Sequence, residues 1–201
     1  MKTKIIILFA GILSIMMVGC NSLPHELQQL EKLTIFKVSK DKKAIVLDGV
    51  INSSALKQFK KVAESNPSIK TLHIVNCEGS INDEVNLQLA KYIYDKGFKI
   101  HLLDNGLIAS GGTDLFLAGH QRTIGKNTKI GVHSWAGENE KATDFPKDHK
   151  YHQPYIEYYK SVGFTQKQAE DFYFFTIHSA PPEDVHFMTK EELETYNILT
   201  K

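Results

Sequence analysis

Two hydrophobic periods alternate along this chain. Thr34-Ile-Phe-Lys-Val38 and Ala44-Ile-Val-Leu-Asp48 are apolar runs of strand length around the polar turn Lys40-Asp-Lys-Lys43. Gly49-Val-Ile breaks the pattern, and Ser53 is placed to cap a helix in which Leu56, Phe59, Val62 and Ala63 recur at helical spacing, ended by Asn66-Pro67. Thr71-Leu-His-Ile-Val75 is a second-period strand with Asn76-Cys-Glu-Gly-Ser80 as its exit loop. Val85, Leu87, Leu89, Ala90, Ile93 and Tyr94 form the next helix, closed by Lys96-Gly97, and Lys99-Ile-His-Leu-Leu103 the next strand. A helix runs from Ser110 to Ala118 and stops at Gly119. Thr123-Ile-Gly and Lys129-Ile-Gly-Val132 are short strands, and Gly137 to Lys150 is a polar loop. Tyr151 to Val162 is an aromatic-rich helix. Thr165 caps another that runs to about Ile177, Ser179-Ala-Pro-Pro182 breaks it, and Thr189 caps a last helix over Lys190 to Tyr196.

Strands alternating with helices of this length imply βαβ units and a mainly parallel α/β sheet. There is no internal repeat and no low-complexity tract. About 180 residues beyond the N-terminal segment suit a single domain with a real core.

The N-terminal segment reads as a targeting signal. Lys2 and Lys4 precede an almost wholly apolar run, Ile5 to Val18, too short to span a membrane comfortably as a mature helix. It ends in Met17-Val-Gly-Cys20, which resembles the lipobox of bacterial lipoproteins, with Met17 where leucine is commoner. The resemblance implies a signal peptide over residues 1–19, lipidation of Cys20, a tether or short helix over 20–33 and a folded domain over 34–201. Asn21 after the cysteine resembles Gram-negative sorting signals that permit transfer to the outer membrane, so a lipid-anchored place in the cell envelope is expected.

The full chain carries 24 basic and 23 acidic residues. Loss of Lys2 and Lys4 would bring the balance to about −1. The sole arginine is Arg122, so nothing suggests nucleic-acid binding. Cys20 and Cys77 are the only cysteines, and lipidation of the first leaves no disulfide framework. His149, His152, His178 and His186 lack the Cys or carboxylate spacing that would complete a metal site, and no metal or cofactor is expected. The tyrosines from Tyr151 to Tyr159 and the run Phe172 to Phe175 read as packing surface.

The candidate chemistry lies in Asn105-Gly-Leu-Ile-Ala-Ser110-Gly-Gly-Thr-Asp-Leu-Phe-Leu-Ala-Gly119 and in Ile130-Gly-Val-His133-Ser-Trp135. A serine hydroxyl needs a base to take its proton and donors for the oxyanion. Ser110 follows a strand and opens a helix, where unpaired N–H groups favour an anion. Gly111 lets backbone approach a substrate carbonyl, and its N–H is a natural oxyanion donor. The loop at Gly79 and Ser80 offers a second, since exits of neighbouring parallel strands lie side by side. His133, at a strand end, is the candidate base. Lys99 and Lys129 are the alternatives for a serine–lysine pair. Trp135 is placed either to line a cleft or to fill the core.

Three segments resemble the Clp-type serine proteases of the Clp/crotonase superfamily. Asn76-Cys-Glu-Gly-Ser80 is similar to their Asn-Ser-Pro-Gly-Gly loop, Gly106-Leu-Ile-Ala-Ser110-Gly-Gly to their nucleophile segment, and Thr128-Lys-Ile-Gly-Val-His133 to the strand delivering their histidine. Phe187-Met-Thr-Lys-Glu-Glu-Leu-Glu-Thr-Tyr-Asn-Ile198 is similar to the segment after their catalytic aspartate. The resemblance runs from about Ile45 to the C-terminus. It implies a Clp/crotonase-like spiral of βαβ units, a serine peptidase without cofactor acting on peptide or protein, and a homo-oligomer. Its site would comprise Ser110, His133 and an acid, with Gly79, Ser80 and Gly111 at the oxyanion. Alignment on Phe187 puts Val185 at the acid position, so Asp184 is the nearest acid, with Glu183 or no acid as alternatives. A non-catalytic scaffold and a crotonase-like acyl-thioester enzyme are the competing functions.

Overall fold

The computed structural model describes residues 25–137 and 139–200; the signal peptide and the lipidation expected at Cys20 lie outside them. Helix α1 (His25–Glu31) precedes the hairpin β1 (Phe36–Val38) and β2 (Ile45–Leu47). Then come α2 (Ala55–Ser65), β3 (Thr71–Cys77), α3 (Asp83–Asp95), β4 (Lys99–Ala109) and α4 (Gly111–Leu117). The chain ends through β5 (Arg122–Ile124), β6 (Lys129–Val132), α5 (Gln153–Ser161), α6 (Gln166–Ser179), β7 (His186–Phe187) and α7 (Lys190–Thr195). Short 3-10 turns at Ala142–Asp144 and Lys150–His152 interrupt the loop after β6.

The sheet runs β1-β2-β3-β4-β6-β7, and β2, β3, β4 and β6 are parallel. β1 and β7 close its two edges antiparallel. β4 is twice the length of an ordinary strand because it serves two partners. Its first half pairs with β5 (Ile100 opposite Arg122) and its second half with β6 (Ala109 opposite Gly131). Between the halves Asn105 turns to φ 60°, and the N–H of Lys126 bonds Asp104 Oδ1 at 2.8 Å while the N–H of Asn105 bonds Lys126 O at 2.8 Å. The expected strand end at Leu103 is therefore a kink inside one strand.

Burial alternates along β3, with Leu72, Ile74 and Cys77 buried and Thr71, His73 and Val75 half-buried. Parallel sheets covered on both faces carry continuous apolar runs; here one face bears the core and the other stays half-open. On the core face Phe59 of α2 meets Phe36 and Phe98 edge-on, each with ring centres 5.2 Å apart. The expected caps Thr165 and Thr189 are present, each in a reciprocal box with Gln168 or Glu192. Ser53 does not cap α2. Its N–H and hydroxyl bond Glu31 at 2.9 and 2.8 Å, and Ser54 stands at the N-cap without a capping bond. The buried Asn52 also holds the carbonyls of Leu30 and Leu33 at 3.0 Å each, so α1 is docked on the domain. None of the helices among the described residues is long and apolar enough to cross a membrane.

Candidate active site

Ser110 follows the last residue of β4, and His133 the last residue of β6. Those strands are neighbours in register, Ala109 opposite Gly131, and the N–H of Ser110 bonds Gly131 O at 3.2 Å. Adjacent strands lie about 4.8 Å apart, so both side chains emerge together at the carboxyl edge of the sheet. They line one cavity, with Gly111, Asp83, Asp114 and Trp135.

Ser110 adopts φ 51°, ψ −128°, a region that only glycine occupies without strain. The turn is held by its surroundings. The Ser110 carbonyl accepts from the N–H of Thr113 at 2.8 Å, and Thr113 Oγ1 bonds Gly131 O at 2.8 Å. Gly111 and Gly112 fit because a Cβ on Gly112 would run into the Cys77 carbonyl oxygen, and one on Gly111 would lie 2.8 Å from Asn86 Nδ2 and strike the Ser80 hydroxyl. Close packing thus fixes the two glycines, and the same contacts seat the start of α4 against the loop after β3.

That loop passes beside Ser110. A Cβ on Gly79 would lie 3.6 Å from Ser110 Cβ and 3.9 Å from its Oγ. Ile51 clamps the loop through both backbone groups, its N–H on Gly79 O at 2.9 Å and its carbonyl on Ile81 N–H at 2.8 Å. The bonds holding the loop and the helix start use none of the N–H groups of Gly79, Ser80 or Gly111. Glu78 is exposed, and the buried Ser80 turns its hydroxyl onto Asp83 Oδ1.

His133 Nδ1 lies 2.8 Å from the Ser134 carbonyl oxygen. A carbonyl only accepts, so Nδ1 carries the proton and Nε2 keeps its lone pair. Burial holds the imidazole below the usual histidine range, opposed by that carbonyl and by the negative charge of Asp83. The ring is therefore a neutral base at pH 7.

No described carboxylate is hydrogen-bonded to His133. Asp184, the expected orienter, is exposed, and its Oδ1 accepts from the N–H of Val185 at 2.7 Å. β6 pairs with β7 through Val132 opposite His186 and Gly131 opposite Phe187, and Asp184 lies in the turn before β7. Glu183 is exposed as well. Lys129 sits over the Phe187 ring, 5.1 Å from its centre, and neither it nor Lys99 lines the cavity.

Sequence reasoning missed the cavity's acids and tyrosines. Asp83, in the first turn of α3, accepts from Ser80 Oγ and from Tyr155 OH, the latter at 2.8 Å. Asp114, one turn beyond Ser110, accepts from Tyr159 OH at 2.7 Å, and Tyr158 OH bonds its backbone carbonyl at 2.6 Å. Burial pushes the Asp114 carboxyl up to about 7, with Tyr159 opposing and Asp83 reinforcing the shift. An acid inside the run Gly112-Thr-Asp-Leu-Phe-Leu-Ala118 was the signal available in the sequence. Trp135, expected as cleft or core, does both: it lines the cavity and its Nε1–H donates to Tyr173 OH at 2.9 Å. Tyr173 OH donates in turn to Nδ1 of the buried His152 at 2.7 Å, whose Nε2–H reaches Pro146 O at 3.0 Å. His152 is thereby spent as packing. No group of three or more His, Cys, Asp or Glu among the described residues is arranged to hold a metal. Cys77 is buried and its thiol is pushed up to about 12, so it is inert.

No family model matches the chain, and no curated protein sequence matches it. Among solved structures it is similar to 1510-N membrane-bound stomatin-specific protease. A serine-to-alanine variant of that protein shares 20% identity and a TM-score of 0.51 over 78% of this chain and 75% of the other. A lysine-to-alanine variant in complex with a substrate peptide shares 20% identity and a TM-score of 0.50 over 78% and 71%. The chain is a single mixed α/β domain with a mostly parallel sheet, in the fold of the Clp-like serine proteases.

Proposed function

We propose that the protein is a serine peptidase working with a Ser110–His133 dyad. The observation that carries this is the strained backbone of Ser110, φ 51° and ψ −128°, at the head of α4 on the cavity it shares with His133. A helix cap gains nothing from such a conformation, and Ser110 makes no capping bond. Strain of this kind persists where a side chain must be aimed.

Ser110 Oγ attacks the substrate carbonyl carbon while its proton passes to Nε2 of His133. The oxyanion is received by the N–H of Gly111 and that of Gly79 or Ser80. Collapse breaks the C–N bond, and the imidazolium returns its proton to the leaving amine. Water then cleaves the ester, with His133 again as base. The Ser134 carbonyl takes the orienting role of an aspartate, and Asp83 supplies a nearby negative charge that favours the imidazolium formed in each step. A peptide substrate is supported by the peptide-bound structure of the neighbour. Lipid anchoring at Cys20, an extracytoplasmic site and a homo-oligomer belong to the same proposal and rest on the sequence; mass spectrometry of the mature N-terminus and light scattering test them.

A fluorophosphonate probe tests the chemistry. Wild-type protein is expected to label, Ser110→Ala not to label, and His133→Ala to label at least ~100-fold more slowly. A folded wild type that never labels would turn the assignment to a non-catalytic scaffold.

A further inference from the structure

We infer that the cavity beside Ser110 is a specificity pocket for a cationic side chain, lysine or arginine, on the residue whose carbonyl is attacked; this rests on the reading of Ser110 as nucleophile. The cavity holds two carboxylates, Asp83 and Asp114, and no lysine or arginine among its lining residues. Neither acid is in an ion pair among the described residues. Its one basic side chain, His133, is held neutral by burial.

Both oxygens of Asp83 accept a hydroxyl, whereas those of Asp114 are incompletely satisfied. Asp114 Oδ1 takes the Tyr159 hydroxyl, and no hydrogen bond to its Oδ2 is found among the described residues. Asp114 is half-buried and lines the cavity. A buried carboxylate without a cation is costly unless a ligand completes it. The walls fit the same guest. Tyr155, Tyr159, Tyr173 and Trp135 line the cavity, and aromatic faces attract cations while covering the methylene stem of a lysine. The floor is rigid, since Asp83 is tied to Ser80 and Tyr155, Asp114 to Tyr159, and Trp135 to Tyr173. The titratable groups around Asp114 are Tyr159, Tyr158, Tyr155, Tyr173 and Asp83, none of them cationic. Burial holds its carboxyl near 7, so the site takes a cation best above that pH.

The test uses two peptidyl diphenyl phosphonates that differ only in lysine against norleucine at the attacked residue, read as labelling rates of the full-length protein at pH 8. The lysine probe is expected to label about tenfold or more faster, and Asp114→Asn to cut that ratio severalfold. Because the ratio is read within each variant, a general loss of reactivity cancels. In parallel, Ser110→Ala protein is titrated with n-butylammonium and with 1-pentanol by NMR; saturable binding of the ammonium alone, lost in Asp114→Asn, is expected. Equal probe rates in a protein that labels with fluorophosphonate, with no preference for the ammonium, would overturn the pocket and leave the hydrolase standing. Selective ammonium binding in a protein that labels with nothing would retain the cation site and remove the hydrolase.

Discussion

The Nδ1–H of His133 donates to the carbonyl oxygen of its own neighbour, Ser134, across 2.8 Å. The imidazole is thus oriented by backbone, and none of the described carboxylates is hydrogen-bonded to it. Fluorophosphonate labelling of Asp184→Asn is therefore expected within about threefold of wild type, where loss of a true triad aspartate costs on the order of 10⁴ in rate. The wild-type rate should rise with pH through a midpoint below the usual histidine value of about 6.5 and then stay flat to pH 8, because burial favours the neutral ring. A midpoint above the usual value, or a collapse of labelling in Asp184→Asn, would restore the triad.

Asp114 makes a second pH dependence. Its carboxyl is pushed up to about 7 in the folded chain, against an ordinary aspartate value of 3.8, chiefly by burial. The folded state therefore binds this proton more tightly than the unfolded state does. Its contribution to stability is largest below about pH 4 and is lost as pH rises to 7. Asp114→Asn should raise the melting temperature at pH 8, by an amount on the order of 2 kcal/mol or a few degrees, and the gain should vanish near pH 4. A destabilised Asn variant at pH 8 would mean that an unseen partner satisfies the ionised form.

The legibility of this fold followed the range of the forces involved. Helices with an apolar stripe and local caps, such as α6 with Thr165 and Gln168, were readable because their determinants lie within one turn. β4 was cut short at Leu103 because Asp104-Asn-Gly106 carries turn chemistry; only pairing with both β5 and β6 makes it a kink within a strand. β7 has two residues and exists through its bonds to β6, so no periodicity announced it. Ser110, His133 and the glycine loops were legible as segments lying at strand exits. Asp83, Asp114 and Tyr155 come from three helices that converge only after packing, and the Ser134 carbonyl that bonds His133 Nδ1 is a backbone group with no sequence identity at all.

Among the described residues, Arg122 holds the last turn through carbonyl acceptors. Buried, it gives Nε–H to Ile198 O at 2.7 Å, Nη2 to Asn197 O at 2.8 Å and Nη1 to Gly119 O at 3.1 Å. Lysine keeps the charge but not the fork. Arg122→Lys should cost roughly 2–4 kcal/mol, since several buried carbonyls lose their donors, and should raise hydrogen exchange first in residues 196–200. Unchanged exchange there would show that the guanidinium is not what holds the tail.

Gly112 lies so close to Cys77 that an added Cβ would enter the Cys77 carbonyl oxygen, a backbone atom that no rotamer change can move. Gly112→Ala should destabilise by about 1–3 kcal/mol or more and shift the start of α4 away from the Gly79 loop. Labelling of the surviving folded protein should fall as well, because Ser110 and the proposed oxyanion donors are seated by that same contact. Loss of stability with full labelling per folded molecule would separate the packing from the site.

Ser110 itself gives the most direct test of stored strain. At φ 51° and ψ −128° its Cβ is held against the backbone, a cost of order 1–3 kcal/mol that glycine does not bear. Both Ser110→Ala and Ser110→Gly remove the hydroxyl, so neither should label. Only glycine relieves the strain, and although it also loosens the unfolded chain, Ser110→Gly should be the more stable of the two by about 1 kcal/mol or more in urea unfolding. If alanine proves equal or superior, the backbone at this turn is relaxed, and the conformation no longer argues that a nucleophile is being aimed.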